Sequence, residues 1–166
     1  MILGLSRRLP ESIKAQVKEW LQSFEGYKVE EHSGADVEWG FTLTSIDGRK
    51  TEIYQMLDRV DYFVVSQKWD LEATMKNALA LLIDSAQAQL YFELRTEQFR
   101  SECDIEIRLL NRTPQGFAVR MPIFADALSQ DILYYRINKV ANTSQLLMAI
   151  LNRAALNYPK RQQPRP

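Results

Sequence analysis

Cysteine and histidine are nearly missing from this chain: Cys103 and His32 are the only examples in 166 residues. A single cysteine excludes an intramolecular disulfide and a cysteine-based zinc cluster. A single histidine excludes a paired-histidine metal site. Neither sign of charge is in excess, with 21 Lys+Arg against 21 Asp+Glu. Nucleic-acid binding draws much of its affinity from a basic excess, so this balance argues against it. Long apolar runs are also lacking. None exceeds six residues, the length of Ala78 to Ile83, far short of the roughly 20 that a membrane span needs. Met1 to Arg8 places a basic pair after a very short apolar patch, and Glu11 and Lys14 follow, so no signal-peptide core is expected. These absences, with the lone cysteine, point to a soluble protein of the cytoplasm.

Glycine and proline are sparse, and neither occurs between Arg49 and Thr113. That interval should therefore be regular structure. With so few glycines, no Gly-x-Gly-x-x-Gly motif or Walker-type phosphate loop is present. What remains is ordinary for a folded domain, at 46% hydrophobic and 25% charged residues. A chain of this size buries roughly 70% of its unfolded surface, so its core needs no metal or disulfide. The expectation is a single α+β domain over residues 1–158, followed by a disordered, basic, proline-rich tail over 159–166.

Pro10 suits the first turn of a helix, and Ile13, Val17, Leu21 and Phe24 follow at helical spacing. Gly26 is the expected stop. Val37, Trp39, Phe41 and Leu43 alternate with polar residues, predicting a half-buried strand. Asp47-Gly48 fits a type I′ hairpin into a return strand at Glu52 to Leu57. Tyr62 to Gln67 completes an antiparallel meander. Asp70 can cap a central helix whose stripe is Met75, Leu79, Leu82, Ile83 and Ala86. Over residues 88–100 the pattern is divided. Leu90 and Leu94 extend the helical stripe, yet Leu90, Phe92 and Leu94 also alternate as a strand would, and the strand is the reading preferred. Ile105, Ile107 and Leu109 form a further strand, Asn111 to Gly116 a turn, and Phe117 to Ile123 the last strand. Ser129 caps a C-terminal helical region, which Asn142-Thr143-Ser144 interrupts or caps again.

No catalytic constellation emerges. His32 would have to serve any Ser–His–Asp or Cys–His arrangement, and it sits in the polar stretch Glu30 to Gly34, read as a solvated loop. Cys103 lies between Glu102 and Asp104, whose charges disfavour a reactive thiolate. Asp36 and Glu38, with Glu52, could bind a divalent cation as a carboxylate site, or simply form the wet side of a sheet. Tyr54 stands where a restriction-type nuclease motif requires lysine. The basic residues Lys160, Arg161 and Arg165 read as a solubilising tail. The surplus is aromatic: Tyr54, Trp69, Tyr91, Tyr134 and Tyr135 cannot all share one core. Large rings with polar tips suit protein contacts. With Leu147 of the second C-terminal stripe, they are the candidate interface residues.

Met121-Pro122-Ile123-Phe124-Ala125-Asp126-Ala127-Leu128-Ser129, followed by Ile132 to Ala141, resembles the last strand and capped helix of the YbjN-type family of small bacterial and cyanobacterial proteins. The element order is similar to that of the wider type III secretion chaperone-like fold. The resemblance implies a non-enzymatic, chaperone-like or adaptor protein without cofactors or catalytic residues. It also implies a homodimer that holds an extended segment of another protein. Apolar stripes beyond what one sheet face can cover point to a homodimer as well. Two other readings stand beside this one: a carboxylate-based metal-dependent hydrolase and an accessory subunit of a larger assembly.

Overall fold

The computed structural model describes residues 10–161. The element order is α1 (Pro10–Gln22), β1 (Tyr27–Gly34), β2 (Val37–Ser45), β3 (Lys50–Met56), β4 (Tyr62–Asp70), α2 (Ala73–Ala80), α3 (Asp84–Arg100), β5 (Asp104–Leu110), β6 (Thr113–Phe124), a short 3-10 turn (Ala125–Ala127) and α4 (Gln130–Asn157). The six strands run in the order β1-β2-β3-β4-β6-β5. The fold is thus the expected α+β arrangement. Two compact units divide the chain, one running through Ser66 with Met121–Asn138, the other formed by Gln67–Arg120 with the chain from Lys139.

In the first unit, α1 buries Ile13, Val17 and Leu21, the stripe that spacing of four dictates. Gly26 then takes a φ of 82°, a turn that a side chain would oppose. It leads into β1, whose second half, Glu30 to Gly34, is strand and not the solvated loop expected from its polarity. The burial of β1 accounts for its weak sequence pattern: only Tyr27, Val29 and His32 are even half-covered. Charged residues, Lys28, Glu30 and Glu31, fill three of the five remaining positions, which discourages pairing of this edge strand with another sheet. His32 is therefore a strand residue, opposite Gly40 of β2. A Cβ added at Gly40 would come within 2.4 Å of the imidazole, so glycine makes room for the ring.

The core of this unit is aromatic. The Trp39 ring lies 5.8 Å from that of Phe41 and 5.4 Å from that of Phe63. Its indole N–H donates to Gln55 Oε1 at 2.8 Å, which satisfies a buried donor. The β2–β3 connection is not the expected type I′ turn at Asp47-Gly48. Gly48 alone has positive φ, at 81°, and the Gly48 N–H donates to Ser45 O at 2.9 Å. This is a three-residue loop closed by a left-handed glycine. Asp47 is instead held by the Arg49 guanidinium and the Ser45 hydroxyl, and its pKa falls to about 2.

In the second unit, residues 88–100 are helical, which corrects the strand reading. Ala86, Leu90 and Leu94 are buried on one face of α3, whereas Phe92 is 72% exposed. Among residues 84–100 only Thr96 is β-branched, so side-chain shape favours helix over strand. The continuous central helix is also corrected: α2 ends at Ala80 and α3 starts at Asp84. Asp70 closes β4, and Glu72 occupies the α2 N-cap position.

Ser129 does cap α4, its hydroxyl accepting the Ile132 N–H at 3.2 Å. The helix then passes unbroken through Asn142-Thr143-Ser144. Thr143 and Ser144 are buried, and Cys103 Sγ lies 3.5 Å from Thr143 Oγ1. Beyond α4, part of the expected disordered tail is paired. Lys160 forms a bridge with Leu82, the Ile83 N–H donates to Pro159 O, and the Arg161 N–H donates to Leu81 O. The remainder of that tail lies outside the described residues.

Candidate functional site

Among the described residues, β5 lies at the end of the sheet order and pairs with β6 alone. Between this edge and α3 runs a groove of about 610 Å³. Its apolar lining comes from Leu94 on the helix and from Ile107 and Leu109 on the strand. Tyr91, Arg95, Gln98 and Arg112 supply the polar lining. The alternation of β5 explains part of this. Ile105 is buried in the core, Ile107 is half-buried, and Leu109 is exposed past a bulge at Arg108/Leu109.

Three contacts shape the groove. Gln98 Nε2 donates to Ile105 O at 2.8 Å, reaching a carbonyl of the edge strand from the helix. The Tyr91 hydroxyl donates to Arg112 O and ties α3 to the β5–β6 turn. Burial pushes the Tyr91 phenol pKa up, with Arg112 partly opposing that shift. At the rim, Asp84 is engaged by Arg161 at 2.6 Å.

The β5–β6 turn has two central residues, Asn111 and Arg112, at φ of 49° and 63°. Leu110 and Thr113 pair on either side. This is the type I′ arrangement, where glycine is the usual second residue. Arginine there costs roughly 1 kcal/mol of backbone strain.

Across α3, away from the groove, Phe92, Thr96 and Arg100 share a second surface with Leu146, Ala149 and Ile150 of α4. Phe92 is 72% exposed, Phe99 85% and Leu146 46%.

The expected interface residues are scattered. Tyr91 lines the groove. Trp69 stacks on Phe117 at 6.2 Å. Tyr54 is half-buried in β3. Tyr134 is wedged against Phe24, 4.4 Å between centroids, and donates its hydroxyl to Trp20 O at 2.7 Å. Tyr135 is exposed, with the Arg136 guanidinium over its ring. Leu147 is 1% exposed and belongs to the core of its own chain, so it is not available to a partner in this structure. The groove residues Arg95, Gln98, Leu109 and Arg112 were not singled out. Only the Asn111 turn signal pointed near them.

The carboxylates Asp36, Glu38 and Glu52 do not assemble a cation site: among the described residues, no three His, Cys, Asp or Glu side chains are grouped to hold a metal. No helix among the described residues is long and apolar enough to cross a membrane.

Together these features define an α+β protein with a helix-walled groove on one sheet edge. The chain belongs to the family described as "Uncharacterized conserved protein (DUF2299)", whose model matches residues 13–151. This is not the secretion chaperone family whose element order the chain resembles. No curated protein matches the chain. A crystal structure of an uncharacterized protein from Methanothermobacter thermautotrophicus is similar, with a TM-score of 0.79 at 16% identity, covering 84% of this chain and 96% of that one. At that identity the likeness is one of fold. YbjN from E. coli is similar at a TM-score of 0.49 and 11% identity, covering 87% of this chain and 93% of its own.

Proposed function

We propose that this protein is a non-enzymatic binding module that holds a segment of another polypeptide in the groove between α3 and β5. The observation that carries this reading is the groove itself, which lies on a strand with one unpaired edge. Such an edge offers main-chain N–H and C=O groups to an extended peptide, while the groove takes alternate side chains. The adaptor reading and the accessory-subunit reading share this chemistry. They differ in whether the bound chain leaves.

The test is purification of the tagged protein from its own cell, in three forms. The expected result is a co-eluting protein that is lost with Leu109→Asp and retained with Leu57→Asp. Leu57 is equally exposed but lies in the other unit. Retention of the same protein by both variants would overturn the groove as the binding site. For the hydrolase alternative, melting curves with Mg²⁺, Mn²⁺ and Ca²⁺ serve, because a ligand of the native state raises its apparent stability. No metal-dependent rise is expected.

A second copy of the chain is the proposed occupant of the Phe92–Phe99 face. Phe92 and Phe99 lie two helical turns apart on α3, with Thr96 between them. The stretch is self-complementary: an antiparallel copy brings Phe92 of one chain to Phe99 of the other. Acidic Glu97 and basic Arg100 border the same stretch.

A further inference from the structure

We infer that the groove recognises an acidic, extended peptide segment, read by Arg95 and Arg112 while its backbone adds to the edge of β5. This rests on the binding function proposed above and specifies its partner chemistry.

Charge is the first observation. Arg95 and Arg112 both line the groove and are exposed. Among the described residues neither guanidinium has an ion-pair partner, although Arg49, Arg108, Arg120, Arg153 and Arg161 all do. The one acid on the lining, Asp84, is taken by Arg161. The groove therefore presents two uncommitted planar donors, suited to carboxylates.

Backbone strain is the second observation. Arg112 holds a left-handed φ of 63° in a turn that glycine would make without cost. Its carbonyl is fixed by Tyr91, but among the described residues its guanidinium has no ion-pair partner. A strained residue whose guanidinium is left without an ion-pair partner among the described residues points to a role in binding.

Edge geometry is the third. Gln98 reaches Ile105 O, so that carbonyl faces away from β6. Ile107, two residues on and before the bulge, repeats the orientation by strand periodicity. Its N–H and C=O are placed for an added strand. Ile107 and Leu109 then receive apolar side chains of that strand. The matching segment alternates apolar with acidic residues.

The experiment is fluorescence anisotropy of the full chain with a labelled heptapeptide alternating valine and glutamate. Its lysine and serine counterparts are titrated alongside. Backbone amide exchange of β5 is followed with each peptide. The glutamate peptide should bind, the lysine peptide should not, and added salt should weaken binding. Arg112→Gly should weaken binding roughly fivefold while leaving the melting temperature equal or higher. Arg95→Ala should weaken binding to a similar extent. Glutamate and serine peptides binding equally and slowing β5 exchange would overturn the charge inference while sparing the binding function. If no peptide slows β5 exchange, both fall. Equal competition by octanoate would overturn the peptide as occupant.

Discussion

The Tyr158 hydroxyl donates to Glu93 Oε1 from the far end of α4, and Arg153 takes the other carboxylate oxygen. Burial alone would push the Glu93 pKa up. The hydrogen bonds from Tyr158, Arg153 and Gln89 outweigh that and hold it below 4.5. The charged form is therefore favoured in the fold, and one carboxylate links α3 to the last turns of α4 and to Tyr158 just beyond it.

Glu93→Gln should lower stability near neutral pH by about 1–2 kcal/mol, the scale of hydrogen bonds to a charged group. The sign with pH follows from the lowered pKa. The ionised group contributes fully above 4.5, and the contribution is lost as pH falls through the lower folded value. Denaturant melts of both proteins should converge in acid. A gap that persists at low pH would mean the charge is not what matters.

Gly40 and Gly116 should respond differently to alanine. At Gly40 the three atoms nearest an added Cβ all belong to the His32 ring. Gly40→Ala should thus be destabilising by itself and much less so in a His32→Ala background. At Gly116 a Cβ would lie 2.2 Å from both Arg108 Nη2 and the backbone Trp69 O. Arg108→Ala cannot relieve the second clash, so Gly116→Ala should cost about 3 kcal/mol or more in either background. Rescue by Arg108→Ala would show that the strands move apart.

Ending the chain at Tyr158 should lower the melting temperature. The cut removes the Ile83–Pro159 and Arg161–Leu81 backbone hydrogen bonds and the Arg161–Asp84 pair. At about 1 kcal/mol for each backbone bond, the loss is about 2 kcal/mol. An unchanged melt would show that the bridge at Leu82 forms too rarely to matter.

Light scattering after size exclusion should give twice 19.3 kDa for the intact chain. Phe92→Glu and Phe99→Glu should each give the monomer with the fold retained, because both side chains are exposed in the single chain. Leu147→Asp should unfold the chain, because its side chain is buried there. A 19.3 kDa mass for the intact protein would remove the second copy from the Phe92 face.

Local periodicity determined much of this protein by itself. Ile13, Val17 and Leu21 specified α1, and the alternation from Val37 to Leu43 specified β2, because each pattern has one period and one buried face. Ser129 announced the start of α4 by its side-chain chemistry. Where two periods fit the same residues, the sequence was mute. Leu90 and Leu94 satisfied both, and only the core decided, by burying those two and leaving Phe92 outside. Turn type was equally undecidable. Asp47-Gly48 carried the signal for a type I′ turn, yet Asn111-Arg112 adopts that conformation, because the register of the flanking strands sets the number of loop residues. The groove was least legible of all. Tyr91, Arg95, Gln98 and Arg112 carry no motif, and they converge only because β5 is an edge strand that α3 walls. Which strand lies at an edge follows from long-range pairing, a property of the assembled sheet that no local stretch of sequence encodes.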